Sequence, residues 1–225
     1  MTRFTIPAIF LALSCPTFAQ QGADSISVAS VAEPVTGFAI DGSFELAIPS
    51  GSHGQWHTGS GAALVGSYRL PLGSQGWFFR PALGVYYNTM GNDYFYTGDA
   101  VYDGTVKNFG IRIPLMAGYT FTPNDNLSLS VATGPWMKIN LFARQYGMPD
   151  ATAQPAVPRS VNLFHRGFRR VEALWGISLS ATFREHYTVG ITTGVAFTPL
   201  ARYGNRDNKI RIRRNTIALS LGYNF

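Results

Sequence analysis

The chain is poor in cysteine, in charged residues and in long hydrophobic runs, and each shortage excludes a class of protein. Among 225 residues there is one Cys, at position 15, so neither a disulfide framework nor a cysteine-based metal site is expected. Charged residues make up only 13% of the chain. No uninterrupted apolar run approaches the roughly 18 residues of a membrane-spanning helix. The sequence therefore predicts no transmembrane helix.

Glycine and aromatic residues are common instead, with 24 Gly and 14% aromatics. Large apolar residues alternate with small or polar ones along the last ten positions. The large ones are Ile217, Leu219, Leu221, Tyr223 and Phe225, and the others are Thr216, Ala218, Ser220, Gly222 and Asn224. A period of two is typical of a β-strand. Together with the terminal aromatic residue, it predicts the closing strand of a membrane β-barrel.

The first 19 residues have the features of a secretory signal peptide. Arg3 precedes an apolar run over 6–13, and the small-x-small sequence 17–19 is typical of a cleavage site. We expect a signal peptide over 1–19, an exposed lead-in over 20–36 and one β-barrel domain over 37–225. A lipoprotein acylated at Cys15 is the alternative.

Alternation and turn residues predict eight strands. They lie near 37–48, 59–71, 77–90, 107–121, 127–140, 169–184, 187–199 and 213–225. Short and long connections alternate, as in bacterial outer-membrane barrels. The expected fold is all-β: an eight-stranded antiparallel up-and-down transmembrane β-barrel, preceded by a cleavable signal peptide, in the cell outer membrane of a Gram-negative bacterium. A soluble ligand-binding barrel, with its apolar face inside, is the alternative.

The mid-strand charged residues share one face, opposite the large apolar residues. They are Asp41, Glu45, Arg69, Arg80, Arg112, Lys138, Glu172 and Arg184. A basic residue facing lipid at mid-bilayer would cost about 2–4 kcal/mol, so we expect these charges in the lumen. An eight-stranded barrel is just wide enough for side chains to fill. A lumen plugged by paired charges is therefore predicted, with a narrow ion channel as the alternative.

A bulge at Pro114 or Pro135 is also expected, because proline removes a ladder hydrogen bond.

Many of the remaining basic residues lie in the long connections. Those expected to contact lipopolysaccharide are Arg144, Arg166, Arg169, Arg170, Arg206, Lys209, Arg211 and Arg213. Arginine binds phosphate and carboxylate in bidentate fashion. A solvated rim without a specific partner is the alternative. The predicted loops 91–106 and 141–168 present aromatics and arginines that would suit an extracellular protein or carbohydrate. Nucleic acid is not an expected partner, and the protein is expected to be a monomer.

Enzymatic signals are weak. His57 with Ser60, and His165 with Ser160, are the loop residues that would suit a lipid A-modifying enzyme. His53 and His57 have metal-ligand spacing but no clear third ligand. We predict no catalytic residue, cofactor or metal, and a structural or surface-interaction role, with the lipid A-modifying enzyme as a further alternative.

One hairpin resembles a known family. Residues 112–119, Arg-Ile-Pro-Leu-Met-Ala-Gly-Tyr, followed by Thr-Pro-Asn-Asp-Asn at 122–126, are similar to a strand and turn of the small outer-membrane β-barrel family typified by the PorT-like proteins of the Bacteroidetes. The resemblance implies an integral outer-membrane barrel, and it implies fold more firmly than function. A helper role in secretion machinery would rest on this resemblance alone.

Overall fold

The computed structural model describes residues 36–51, 56–73, 76–96, 101–149, 160–203 and 210–225. Eleven strands run in chain order: β1 Gly37–Gly51, β2 Trp56–His57, β3 Gly59–Pro71, β4 Trp77–Tyr96, β5 Val101–Asn124, β6 Leu127–Pro149, β7 Ser160–Asn162, β8 Val171–Phe183, β9 Tyr187–Ala196, β10 Ala201–Tyr203 and β11 Ile210–Asn224. A 3₁₀ helix, Leu163–Arg166, follows β7. Within the described ranges, no helix has the length and apolar character needed to cross a membrane.

Eight of the strands form a closed ring. Its order is β1-β3-β4-β5-β6-β8-β9-β11, and β11 pairs back onto β1. This closing pair is antiparallel and runs from Ala39 opposite Asn224 to Gly51 opposite Ile212. Beyond it, the Phe225 amide donates to the Phe38 carbonyl at 2.9 Å. The predicted eight-stranded antiparallel up-and-down barrel is confirmed.

Three neighbouring strands are much longer than a bilayer requires. β4, β5 and β6 contain 20, 24 and 23 residues, whereas about 9–11 suffice to cross. Most of the segment 91–106, expected as a loop, is therefore a continuation of the β4–β5 hairpin, with Tyr96 opposite Val101. The β-branched and aromatic residues near its tip favour this extended backbone. On this side the strands extend furthest beyond the part of the barrel needed to cross a bilayer.

The expected bulge is found at neither Pro114 nor Pro135. The β5–β6 register is unchanged across Pro114, and the β6–β8 register is unchanged across Pro135. The β5–β6 register shifts instead at Leu141, where Leu141 and Phe142 are both exposed. An extra residue reverses the alternation beyond it. Arg144 consequently points outward rather than into the barrel.

The outer face of the barrel is a belt of exposed apolar side chains. Among the most exposed are Leu83, Leu64, Val131, Leu179, Ile191, Leu221 and Phe44. Polar groups on this face bond to one another: the Trp175 Nε1 donates to the Thr133 hydroxyl at 2.8 Å, and that hydroxyl donates to the Gly176 carbonyl at 2.9 Å. Such a belt would be unfavourable in water but suits hydrocarbon.

Aromatic rings gather at the end of the barrel that carries the short turns. Trp77 and Tyr119 pack edge to face with centroids 5.3 Å apart. Tyr223 packs against both Tyr187 and Phe225, at 5.5 and 5.0 Å. Amphipathic rings favour the boundary between hydrocarbon and water. This end therefore has the character of an interfacial girdle.

Candidate functional site

Large and polar side chains meet in the middle of the barrel, and five of them are charged. These five, here called the interior charge cluster, are Glu45, Arg112, Lys138, Glu172 and Arg214, all buried. One half of the cluster is centred on Glu45, which accepts its hydrogen bonds. Its carboxylate accepts from the Arg112 guanidinium, from Lys138 Nζ at 3.4 Å and from Asn88 Nδ2 at 3.3 Å. Two cations and an amide thus compensate one buried carboxylate, as burial requires.

The other half of the cluster is centred on Arg214. Its Nη2 donates to Glu172, and its Nη1 donates to Asn108 Oδ1 at 2.8 Å. Asn88 connects the two halves, because its Nδ2 donates to Glu45 and its Oδ1 accepts from Arg214 Nη1 at 3.3 Å. Within the Arg214 half, Asn140 Nδ2 donates to Glu172 at 2.8 Å and Asn140 Oδ1 accepts from the Tyr86 hydroxyl at 2.6 Å. These contacts join β4, β5, β6, β8 and β11 across the lumen.

The predicted interior residues divide into three groups. Glu45, Arg112, Lys138 and Glu172 lie in the interior charge cluster. Asp41, Arg69 and Arg80 lie nearer the short turns and are half-buried. Arg184 is a correction: β8 ends at Phe183, and Arg184 has a positive φ of 47° in the exposed turn that follows. The turn carries its side chain out of the interior.

Arg214 is not among the interior charges predicted from the sequence, but the structure buries it completely. The signal that identifies it is alternation. Thr216 and Ala218 point inward on the same strand, two and four positions after Arg214, so Arg214 lies on the same face. The asparagines that bond to the cluster could not be assigned to the interior from the sequence, because an amide side chain is compatible with either face of a barrel strand.

An apolar cluster, here called the Trp136 layer, lies beside the interior charge cluster on its short-turn side. Its members are Phe78, Met116, Ala132, Trp136, Leu174 and Ala196. The Trp136 Nε1 contacts Met116 Sδ at 3.0 Å. Its ring lies directly against Gly176, where a Cβ would come within 2.6 Å of ring atoms, and more loosely against Gly194. The indole fits because these two inward positions of β8 and β9 have no side chain.

A second apolar cluster fills the long-loop end of the interior. It comprises Ala47, Trp56, Met90, Val106, Ala143, Leu163, Phe168, Leu200, Ala201 and Ile212. The segment around the 3₁₀ helix belongs to it and is tied to the barrel, since the Arg169 amide donates to the Leu200 carbonyl at 2.7 Å. Asn162 caps this helix by accepting from the Phe164 amide at 3.1 Å, and Gly167 ends it with a φ of 86°. We call residues 160–170 and 197–203 the outer cap.

Four arginines group on one side of the barrel, just beyond its apolar belt. Arg211 and Arg213 point outward from β11, on the same face as Ile217. Arg202 lies directly opposite Arg211, and Arg169 is within electrostatic range of Arg202. We call Arg169, Arg202, Arg211 and Arg213 the rim arginines.

The structure describes some of the other residues that were predicted to contact lipopolysaccharide. Arg144 and Arg170 are exposed, and their guanidiniums lie over the Phe142 and Phe164 rings at 5.4 and 4.3 Å. The Arg166 side chain, Arg206 and Lys209 fall outside the described residues.

The residues considered for catalysis do not form a recognisable constellation. His57, Ser60 and His165 are exposed, and no hydrogen bond joins His165 to Ser160 within the described part of the chain. In the same residues, no three His, Cys, Asp or Glu side chains come together as a metal site would require. His53 lies outside the described residues.

Comparison with known proteins gives similarity in structure but not in sequence. No family model and no curated protein sequence matches the chain, so membership of the PorT-like family stays a prediction. The attachment invasion locus protein Ail of Yersinia pestis, solved with the heparin analogue sucrose octasulfate, is 12% identical with a TM-score of 0.39, covering 84% of this chain and 99% of its own.

Two further solved structures show a similar degree of likeness. Neisserial surface protein A is 13% identical with a TM-score of 0.44, covering 84% of this chain and 97% of its own. The N-terminal β-barrel domain of Pseudomonas aeruginosa OprF is 14% identical with a TM-score of 0.35, covering 84% and 96%. At TM-scores this low, the assignment of the fold rests on the strand pairing of the chain itself.

Strand pairing and surface chemistry together indicate that this barrel lies in a membrane. Its ring is closed, so the backbone groups of the strands pair with one another, which is the condition for crossing hydrocarbon. Its outer face is apolar, and aromatic rings border it at the short-turn end. An even number of antiparallel strands, joined by short turns at one end, is the pattern of bacterial outer-membrane barrels. The chain is an integral β-barrel of the cell outer membrane.

Proposed function

We propose that this protein is a non-conducting barrel that acts at the cell surface, as a structural or surface-interaction protein. The observation that carries the proposal is the sequence of buried layers along the lumen: the Trp136 layer, the interior charge cluster and the outer cap. Both Glu45 and Glu172 are fully buried and held by basic partners. Ions crossing the lumen would have to break these pairs, at a cost of several kcal/mol.

We further propose that the rim arginines bind lipopolysaccharide. Arg202 and Arg211 are directly opposite on paired strands, and like charges in this arrangement are destabilising unless a counterion lies between them. They extend from the segment just beyond the apolar belt. In an outer-membrane barrel with its long loops outside, this is the headgroup level of the outer leaflet. Phosphates are the anions there, and arginine binds them in bidentate fashion.

Replacing both Arg202 and Arg211 by Gln tests this proposal. Each charge-assisted hydrogen bond contributes about 1.5–3 kcal/mol, so the double variant should bind purified lipopolysaccharide at least about tenfold more weakly. Binding is measured by titrating lipopolysaccharide into the detergent-solubilised protein, with thermal unfolding as a check on folding. Arg184→Gln is the matched control, because that arginine is exposed at the opposite end. Equal binding by all three proteins would contradict the proposal.

A further inference from the structure

Two adjoining cavities form a polar vestibule on the short-turn side of the interior. The outer cavity, about 50 Å³, is bordered by Gly37, Glu185 and Phe225 and so opens at the short-turn end. The inner cavity, about 60 Å³, reaches Arg112 and Trp136. Ser67, Arg80 and Thr188 line both cavities. Six further residues of the wall carry hydroxyl groups, among apolar neighbours: Ser128, Ser178, Ser180, Thr182, Thr192 and Ser220.

Positive charge exceeds negative charge inside the barrel. Among the described interior residues the cations are Arg69, Arg80, Arg112, Lys138 and Arg214, and the acids are Asp41, Glu45 and Glu172. The interior charge cluster contains three of these cations and two of the acids. In the vestibule, Arg69 and Arg80 lie within electrostatic range of each other and of Asp41. The walls of the two cavities carry Arg69, Arg80 and Arg112 against Asp41 and the exposed Glu185 at the mouth. Positive charge is therefore in excess in a partly desolvated space, and this excess attracts an anion.

Several hydrogen-bond donors of the vestibule have no protein partner. The Ser67 hydroxyl and the Arg112 Nε are buried and unbonded within the described protein atoms. The Arg80 guanidinium makes no hydrogen bond or ion pair to any described residue, although it is only half-exposed. The hydrogen bonds of Arg69 to the Thr120 and Ser130 hydroxyls are long, at 3.4 Å, and its guanidinium also lies over the Phe78 ring, 4.3 Å from the centroid. Unsatisfied donors of this kind are unfavourable unless water or a ligand bonds to them.

We propose that the vestibule is a binding site for inorganic phosphate, held by Arg69, Arg80 and the Ser67 hydroxyl and entered from the short-turn end. The guanidiniums supply charge and bidentate donors. Asp41 makes the site selective for phosphate over sulfate. Inorganic phosphate retains a proton at neutral pH and can donate it in a hydrogen bond to the Asp41 carboxylate, whereas fully ionised sulfate cannot. The site is separate from the rim arginines, which lie beyond the opposite end of the apolar belt.

Calorimetric titration of the full detergent-solubilised chain with phosphate and with sulfate tests this assignment. Phosphate should bind saturably and at least about tenfold more tightly than sulfate, since a charge-assisted hydrogen bond contributes at least that factor. Arg80→Gln should weaken phosphate binding at least about tenfold for the same reason. Asp41→Asn should tighten sulfate binding and reduce the preference for phosphate, because it removes the opposing charge. Arg184→Gln should bind phosphate as the natural chain does.

The absence of saturable binding would overturn the site, as would identical binding by Arg80→Gln. The first result would show that the vestibule holds only water. If Arg80→Gln fails to fold, Asp41→Asn decides the question: an unchanged preference for phosphate over sulfate contradicts the assigned role of the carboxylate. None of these outcomes depends on lipopolysaccharide binding or conductance, so the proposed function can fail or succeed independently.

Discussion

Glu45→Gln will destabilise the folded barrel by about 3–5 kcal/mol, the cost of removing one partner from a buried ion pair. Glu45 is fully buried and is the acidic partner of both Arg112 and Lys138. The substitution preserves shape but leaves two cations without a full counter-charge in a medium of low dielectric. Urea unfolding in lipid vesicles, followed by tryptophan fluorescence, measures the change.

A second variant separates the loss of charge balance from a loss of packing. Glu45→Gln combined with Lys138→Met removes one charge of each sign, so the double variant should recover much of the lost stability. Glu185→Gln is the control, because Glu185 lies in an exposed turn and its replacement should change stability by about 0.5 kcal/mol or less. A loss below about 1 kcal/mol for Glu45→Gln would show that water or another group already neutralises the cluster.

Gly176→Ala should cost about 1–3 kcal/mol, the usual penalty for overpacking a well-packed interior. The new methyl group would lie within 2.6 Å of Trp136 ring atoms. The ring cannot move freely, because its Nε1 is also bonded to Met116 Sδ at 3.0 Å. The same unfolding assay applies, with Gly194→Ala as the matched control. At that position the nearest ring atom is 3.2 Å away, and a smaller loss is expected.

The cause of the Gly176 effect can be checked by changing the ring itself. In a Trp136→Phe background the smaller ring leaves room, so Gly176→Ala should cost markedly less than it does in the natural chain. An equal cost in both backgrounds would locate the strain in the backbone of β8 rather than in contact with the indole.

Alternation in the sequence was sufficient to predict the barrel. The odd residues of 216–225 and their counterparts in seven other segments predicted eight strands and a closing pair, and the β1–β11 register confirms them. The same alternation predicts an inward Glu45, Arg112, Lys138 and Glu172, which the structure brings together. The prediction that Arg184 lies in the interior was wrong, because β8 ends at Phe183 and the alternation does not extend to the next residue.

The details that alternation did not predict depend on contacts between distant segments. The bulge at Leu141 follows from how β6 pairs with β5, and no local signal such as proline marks it. The outer cap is built from short pieces that are stable only when packed on the barrel, such as the single turn at 163–166. Arg214 has its partner Glu172 on another strand, 42 residues away in the chain, so only the closed ring shows that its charge is balanced.

Conductance in planar lipid bilayers tests the central claim, a lumen plugged by its own side chains, most directly. The purified barrel, with insertion verified by protection of its strands from protease, should give no discrete current steps at any applied voltage. The Glu172→Gln variant should be tested alongside it. Regular steps in the natural chain, with a size altered by Glu172→Gln, would contradict the account and identify the protein as a narrow channel.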